Sequence, residues 1–184
     1  MSKNKPTCAV SNSTPLIYLA KIGKLEILRS VFEKIFIPEA VFEEAVARGK
    51  ALNISDAFII ERAVGAWIIR ERVKPEIDAE YRFLDTNIRL GLGERETIKL
   101  CKQLDIKYLI ADDREARRVS KMLNVTPIGT CGVIIKAYKL GTITRNEAIQ
   151  ILDELLKAGF RISPELYSRI LSELEPMNNF TVHI

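Results

Sequence analysis

The sequence is poor in the residues on which nucleophilic and zinc chemistry most often depend. Its 184 residues include a single histidine, His183, and three cysteines, none of them in a C-x-x-C spacing. One histidine argues against Ser-His-Asp and Cys-His nucleophiles, imidazole acid–base pairs and His-rich zinc sites. An odd number of widely spaced cysteines predicts reduced, mostly buried thiols. If the chain is an enzyme, we expect carboxylates to carry its chemistry.

Long apolar runs and stretches rich in glycine or proline are also missing. The apolar segments are short and interrupted by charges, so we expect no membrane span, no signal segment and no membrane partner. With 9 glycines, 7 prolines, 47% hydrophobic and 28% charged residues, the composition excludes collagen-like and disordered classes. We therefore expect a globular, cytoplasmic protein.

The charge balance is mildly basic, with 28 Lys and Arg against 24 Asp and Glu and a net charge of +4. A chain of this length buries about 70% of its unfolded surface, enough for one hydrophobic core. No repeat, linker or charge block divides it. We expect a single domain over residues 1–184, with residues 144–176 forming C-terminal helices packed on it.

Apolar strand-like segments alternate with helical ones along the chain. The pattern predicts strands at 7–11, 34–38, 67–73, 106–111 and 125–129. Helices are predicted at 16–23, 25–32, 39–49, 55–66, 75–88, 94–104, 114–123, 131–140, 144–159 and 165–174. This alternation predicts a central, mainly parallel sheet between two layers of helices, an α/β three-layer sandwich.

Polar residues follow two of the predicted strands, where ligand sites of open parallel sheets lie. Asn12 follows the first strand, and Asp112 and Asp113 follow the strand at 106–111. Taken alone, the Asp-Asp pair is as typical of a helix N-cap as of a binding site. Glu44 and Glu94 enter the same region on helices.

Helical periodicity separates some of these acids but not all. Glu94 falls at the edge of its helix's apolar stripe with Thr97, which predicts an inward side chain. Glu96 falls on the other flank, where a first-turn acid is favoured by the helix dipole. The same test does not separate Glu43 from Glu44.

Carboxylates that converge on one cleft repel each other unless a cation is present. Mg²⁺ and Mn²⁺ prefer oxygen ligands, and such ions activate water for attack on phosphodiesters without a histidine.

Four segments resemble the four acidic motifs of the PIN domain, in order: V-S-N-S-T-P-L-I-Y-L-A-K-I-G, I-P-E-A-V-F-E-E-A, L-G-L-G-E-R-E-T-I and L-I-A-D-D-R-E-A-R-R-V. The resemblance continues into G-F-R-I-S-P-E-L-Y-S-R-I-L and is strongest to the VapC-like prokaryotic branch. It implies a PIN-like fold and a Mg²⁺-dependent or Mn²⁺-dependent ribonuclease, often the toxin of a pair with a small antitoxin protein.

The resemblance also assigns site residues. It places the family's first aspartate at Asn12, the neighbouring hydroxyl position at Thr14, and the second acid at Glu44 rather than Glu43. The full set of metal ligands that it implies is Asn12, Glu44, Glu94, Asp112 and Asp113, of which the four acids are the catalytic residues.

Asn12 departs from the family pattern, because an amide oxygen can bind a metal but brings no charge. Metal affinity should fall, and a weak or inactive member remains an alternative. Residues 84–88, L-D-T-N-I, imitate the family's usual opening but follow no predicted strand, so we treat them as a chance match.

The helix after Asp113 carries a basic stripe at i, i+3, i+4 and i+7, formed by Arg114, Arg117, Arg118 and Lys121. The stripe could bind RNA phosphates or could be a solvated face, which is the commoner case on amphipathic helices. The apolar stripes of the C-terminal helices fit packing onto the domain, a homodimer or an antitoxin. Two functions therefore stay open, a metal-dependent endoribonuclease and a non-catalytic module that binds RNA or protein.

Overall fold

The computed structural model describes residues 7–86 and 89–175. Within them, five parallel strands form one sheet: β1 Cys8–Ser11, β2 Lys34–Ile37, β3 Ile68–Arg70, β4 Tyr108–Ile110 and β5 Thr126–Ile128. Their order is β3-β2-β1-β4-β5. The chain builds one half of the sheet outward from β1, crosses back, and starts the other half with β4. The strand order therefore reverses between β1 and β4, where open α/β sheets bind ligands.

Helices fill the connections between the strands. Their bounds are α1 Ser13–Lys21, α2 Glu39–Phe42, α3 Arg48–Ala51, α4 Ser55–Ala63, α5 Pro75–Glu80, α6 Leu92–Gln103, α7 Arg114–Met122, α8 Thr130–Lys139, α9 Arg145–Lys157 and α10 Pro164–Glu173. A π-helical segment, Glu43–Ala47, joins α2 to α3, and 3₁₀ helices span Leu25–Leu28 and Arg82–Thr86.

The two faces of the sheet support separate apolar clusters. Ala9 of β1 packs into the larger cluster, which includes residues of α1, α4, α8, α9 and α10. The next residue, Val10, packs into the smaller cluster with residues of α6 and α7. Successive strand residues point to opposite faces, so both faces are covered and the predicted three-layer α/β/α fold is confirmed.

Most predicted elements occur with small shifts, but the predicted helix at 25–32 is wrong. Only Leu25–Leu28 is helical, as a 3₁₀ turn, and Leu25, Ile27 and Leu28 are all buried. Residues 25 and 27 would point about 200° apart on an α-helix, so one amphipathic stripe cannot bury both. A 3₁₀ turn that is enclosed by the core can bury both residues, because the core surrounds it on more than one side.

Helix boundaries depend on local capping. The capping box of Thr144 with Glu147 starts α9 as expected, and Ser163 caps α10. Helix α1 begins at Ser13, because Asn12 already serves as its N-cap and Pro15 is tolerated within the first turn. The predicted helix at 75–88 stops at Glu80 and is followed by the 3₁₀ helix; residues 87 and 88 lie outside the described part.

The cysteines behave as predicted within the described residues. Cys101 and Cys131 are buried, Cys8 is half-buried, and none is in a disulfide. Burial raises the pKa of the Cys131 thiol to about 12, which keeps it protonated and unreactive at neutral pH. Over residues 7–86 and 89–175, no helix combines the length and apolarity needed to cross a bilayer. His183 lies outside the described residues.

Candidate functional site

The residues that follow β1 and β4 lie side by side. Ser11 pairs with Ile110, and the backbone N–H of Asn12 donates to the Ile110 carbonyl over 2.9 Å. Asn12 and the pair Asp112 and Asp113 therefore leave the sheet together, at the point where the strand order reverses. A sheet of this topology offers its main ligand crevice there.

Asn12 is buried and uses both polar atoms of its side chain. Its Oδ1 accepts from the backbone N–H of Ser13 at 2.9 Å, and its Nδ2 donates to Glu94 Oε1 at 3.1 Å. Exchanging the amide atoms would place Oδ1 against a carboxylate and Nδ2 against an N–H, so these partners determine the orientation. The hydrogen bond to Glu94 is one that an aspartate could not donate.

Two glycines let the start of α6 approach the end of β1. A Cβ on buried Gly93 would lie 3.3 Å from Asn12 Oδ1 and 3.6 Å from Glu44 Oε2. A Cβ on Gly91 would overlap the Glu94 carboxylate. Asn12 and Glu44 therefore lie beside Gly93, while Glu94 lies against Gly91 and accepts a hydrogen bond from Asn12. We call the side chains of Asn12, Glu44 and Glu94 the Gly93 cluster. The sequence pattern predicts from both glycines only the start of a helix, although glycine also occurs where two backbone segments approach closely.

The structure separates Glu43 from Glu44. Glu44 Oε2 faces Gly93, whereas the Glu43 carboxylate acts on Arg70. The Glu39 carboxylate, and more weakly that of Glu43, raises the pKa of Arg70. Both glutamates lie in the π-helical segment, a distortion often found at functional sites. Periodicity could not separate them because it assumes a regular α-helix.

Asp112 and Asp113 bind helix N-termini. Asp113 Oδ1 accepts from the Ala116 N–H at 2.7 Å and caps α7. Asp112 accepts from the backbone N–H and the hydroxyl of Thr130, at 2.8 and 2.6 Å, and so anchors the start of α8. Burial raises the pKa of Asp112, and the Thr130 hydrogen bonds oppose that rise. The N-cap role that the pair also suggested is thus present in the structure.

The Gly93 cluster suits a weakly held hard cation. Within residues 7–86 and 89–175, no three Asp, Glu, His or Cys side chains converge as a metal-binding group, so Asp112 and Asp113 do not join Glu44 and Glu94 in one. The cluster has two carboxylates and one amide oxygen. Mg²⁺ is usually bound by one or two carboxylates with several waters, which this donor set could supply. A cation would compete there with the hydrogen bond from Asn12 to Glu94.

Two neighbouring residues have roles that the sequence did not indicate. Glu96 Oε2 accepts from the Ala40 N–H at 2.9 Å, so it stabilises the N-terminus of α2 and not only that of its own helix. Lys99 is buried, and its Nζ donates to Asp78 at 2.8 Å and Asp85 at 2.9 Å. Asp85 is the aspartate of the chance L-D-T-N match, and in the structure it pairs with Lys99.

The basic stripe on α7 divides into different environments. Arg118 makes two hydrogen bonds to Glu115, at 2.9 and 2.7 Å, which offset its charge. Arg117 is half-buried and lies close enough to Asp112 to lower its pKa. Arg114 and Lys121 are exposed, and Thr14 is half-buried in the first turn of α1.

Comparisons with known proteins returned one family match and a structural match. A family model described as a PIN domain (DUF3368) matches residues 8–176, nearly the whole chain. The crystal structure of VapC20 from Mycobacterium tuberculosis, described as a sarcin-ricin loop cleaving toxin, aligns with 60% of this chain and 94% of its own. The TM-score is 0.48 and the sequence identity 11%. No curated protein matches the chain.

Proposed function

The chain belongs to the PIN-domain family, and from this premise we propose that it is a Mg²⁺-dependent or Mn²⁺-dependent endoribonuclease of the VapC-like type. The observation that carries the proposal is the Gly93 cluster at the strand-order reversal. Two carboxylates and an amide oxygen meet there in a chain with almost no histidine. Hydrolysis of RNA phosphodiesters is chemistry for which such oxygen ligands suffice.

Glu44 and Glu94 would be the charged ligands and Asn12 the neutral one, with Asp113 and Asp112 at the edge of the site. A Mg²⁺ or Mn²⁺ ion held by these oxygens would activate a water and neutralise charge on the phosphodiester. The catalytic assignment of the four acids and the supporting role of Thr14 stay predictions.

The protein's own residues prepare this site. The amide N–H of Asn12 donates to Glu94 Oε1 and so gives that carboxylate a hydrogen-bond partner within the site. Glu94 also lies in the first turn of α6, where the helix dipole favours negative charge. Asp113 and Asp112 hold the starts of α7 and α8 against the strand ends.

A non-catalytic PIN module that binds RNA or protein is the second candidate. The hydrogen bond from Asn12 to Glu94 favours it, because that bond gives Glu94 a partner without any cation. The missing charge at position 12 also lowers the attraction for a divalent ion.

We propose that the chain acts in the cytoplasm as a toxin. Its partners would be RNA and a small antitoxin protein encoded by a neighbouring gene. A homodimer is the alternative partner for the apolar stripes of the C-terminal helices. On the C-terminal helices, Leu152 and Leu155 are buried in the core while Leu156 is 39% exposed, so little of that stripe is left for either partner.

A metal titration tests the function. If the chain is a nuclease, Mn²⁺ raises its melting temperature and supports cleavage of a panel of RNAs, and Asp113→Asn weakens both effects. Glu115→Gln, a neighbouring acid outside the predicted ligand set, is the control. If Mn²⁺ has neither effect and Asp113→Asn changes nothing, the non-catalytic module is the correct reading.

A further inference from the structure

A cleft adjoins the candidate site on the side of β5 and α8. Its volume is about 340 Å³, within the range of about 300–1,000 Å³ typical of small-molecule sites. One wall is the junction of β5 with α8, and the other is the segment that leads into α10. Asp112 forms part of the lining, so the cleft begins where the strand-end site stops. We call it the arginine cleft.

Three arginines line this cleft: Arg117 from α7, Arg161 from the segment before α10, and Arg169 from α10. Across residues 7–86 and 89–175, no carboxylate oxygen lies within 4 Å of any of their guanidinium nitrogens. Glu173 acts on Arg169 electrostatically, but its own ion pair is with Lys139. The three guanidinium groups therefore keep most of their capacity to bind an anion.

The acid in the cleft offsets part of the charge of Arg117, because Arg117 lowers the pKa of Asp112. Asp112 is the one carboxylate among the described lining residues, and both of its oxygens accept hydrogen bonds from Thr130. Gly129 leaves space for both side chains, because a Cβ there would lie 2.5 Å from Arg117 Nη1 and 2.9 Å from Asp112 Oδ1. The described lining of the cleft thus carries three arginines and one carboxylate, so positive charge is in excess.

The rest of the lining is apolar and suited to a planar group. Phe160, Ile128 and Leu166 are half-buried along the wall. The Phe160 ring is held edge-on against Tyr18, with ring centroids 5.1 Å apart. Nucleobases stack on aromatic and apolar side chains while arginines bind the adjoining phosphates. An acidic peptide would use the arginines but not this wall.

We propose that the arginine cleft binds one nucleotide of the RNA substrate, with its phosphate on the guanidinium groups and its base on the apolar wall. The inference rests on the proposed function and deepens it. It places the nucleotide that flanks the cleaved bond beside Asp112. It also adds Arg161 and Arg169 to the proposed RNA contacts, and the basic stripe on α7 does not include these two residues.

The test measures RNA affinity without cleavage. A fluorescein-labelled single-stranded RNA 12-mer is titrated in EDTA against the full chain, the double variant Arg161→Gln/Arg169→Gln, and the matched double variant Arg62→Gln/Arg145→Gln. The matched pair removes the same charge from exposed sites outside the cleft. We expect the cleft variant to bind about tenfold more weakly than the matched variant, with a salt slope smaller by about 0.7 for the one phosphate contact that is lost. Arg161→Lys/Arg169→Lys keeps the charge and should restore part of the affinity.

The outcomes separate this inference from the nuclease function when the same proteins are assayed for Mn²⁺-dependent cleavage. If the wild type cleaves RNA but the two glutamine variants bind RNA with equal affinity, the proposal that the arginine cleft binds RNA is wrong and the nuclease function still stands. Cleft-dependent RNA binding without cleavage supports the cleft and overturns the nuclease. No RNA binding by the wild type overturns both. If polyglutamate competes as well as RNA, an acidic peptide is the correct ligand and the proposal fails.

Discussion

The side chain of Asn12 makes hydrogen bonds in two directions, to the backbone of α1 and to the Glu94 carboxylate. A divalent ion would bring the same two elements together through charge. Here the neutral amide of Asn12 already links the start of α1 to Glu94 on α6 without a cation. At the scale of single residues, the proposed function predicts that Glu44 and Glu94 would supply the charge that holds a metal ion.

The adjacent glutamates Glu43 and Glu44 offer a matched comparison at this scale. Glu44→Gln should weaken the Mn²⁺-induced rise in melting temperature and lower RNA cleavage at least tenfold, because one of two charged ligands is lost. Glu43→Gln should leave both unchanged, since its carboxylate acts weakly on Arg70 and is not among the atoms nearest Gly93. Melting curves with and without Mn²⁺ provide the measurement. Equal effects of the two substitutions would contradict the assignment of Glu44.

Helix α6 joins the site to the smaller apolar cluster. Its first turn carries Gly93 and Glu94, and its buried face carries Ile98 and Cys101. Lys99, also buried, ties α5 and the 3₁₀ helix at Arg82–Thr86 to the same helix through Asp78 and Asp85. The position of Glu94 therefore depends on how closely α6 approaches β1.

Gly93→Ala tests that approach. Alanine usually stabilises a helix by about 0.5–1 kcal/mol relative to glycine. Here the new Cβ would crowd Asn12 Oδ1 at 3.3 Å, so we expect little net change in stability but a clear loss of Mn²⁺ binding by calorimetry. Leu92→Ala, in the same turn but 57% exposed, should bind Mn²⁺ as the wild type does. Unchanged Mn²⁺ binding by Gly93→Ala would show that the close approach has no functional role.

The Lys99 interactions predict a pH dependence of stability. Asp78 and Asp85 raise the pKa of Lys99 above its ordinary 10.5 although burial lowers it, and Lys99 lowers the pKa of Asp78 below its ordinary 3.8. The ion pair between Lys99 and Asp78 therefore contributes fully to stability between the ordinary pKa values of 3.8 for Asp78 and 10.5 for Lys99. It is lost as pH falls through the lowered pKa of Asp78 or rises through the raised pKa of Lys99.

Lys99→Met should cost about 1–2 kcal/mol of unfolding free energy at pH 7, because it removes charged hydrogen bonds. Denaturant unfolding at several pH values measures this. The difference from the wild type should shrink below the lowered pKa of Asp78, and Lys102→Met on the same helix should show no such trend. A difference that is constant with pH would assign the effect to packing alone.

Much of this fold follows from local sequence signals, whereas the site follows only in part. Strand β4 reads as buried because its residues are apolar on both faces, and Thr144 with Glu147 specifies the start of α9. The inward position of Glu94 follows from periodicity. The π-helical segment, the contact of Glu96 with Ala40 and the buried ion pairs of Lys99 arise from packing between distant segments, which no local pattern encodes.

At the scale of the whole molecule, the strand order places the chemistry. The crossing from β3 back to β4 sets the ends of β1 and β4 side by side, so Asn12 and Asp112 start from one edge of the sheet. Glu94 contacts Asn12 at the end of β1, and Asp112 also lines the arginine cleft. The net charge of +4 hides this separation of charge. An acidic centre beside a basic cleft suits a phosphodiester substrate whose flanking phosphates need cations.

Mn²⁺-dependent RNA cleavage by the wild type and by Asn12→Asp, measured side by side, tests the central claim most directly. An aspartate restores the missing charge and abolishes the hydrogen bond to Glu94, so the metal-free variant should melt at a lower temperature than the wild type. Mn²⁺ should then stabilise the variant more than the wild type and raise its cleavage rate at least about tenfold, since one added ligand charge strengthens the site. Glu94→Gln in the same background should remove the gain. Weak wild-type cleavage with this increase is the predicted result; no cleavage by either protein at any Mn²⁺ concentration would contradict the account.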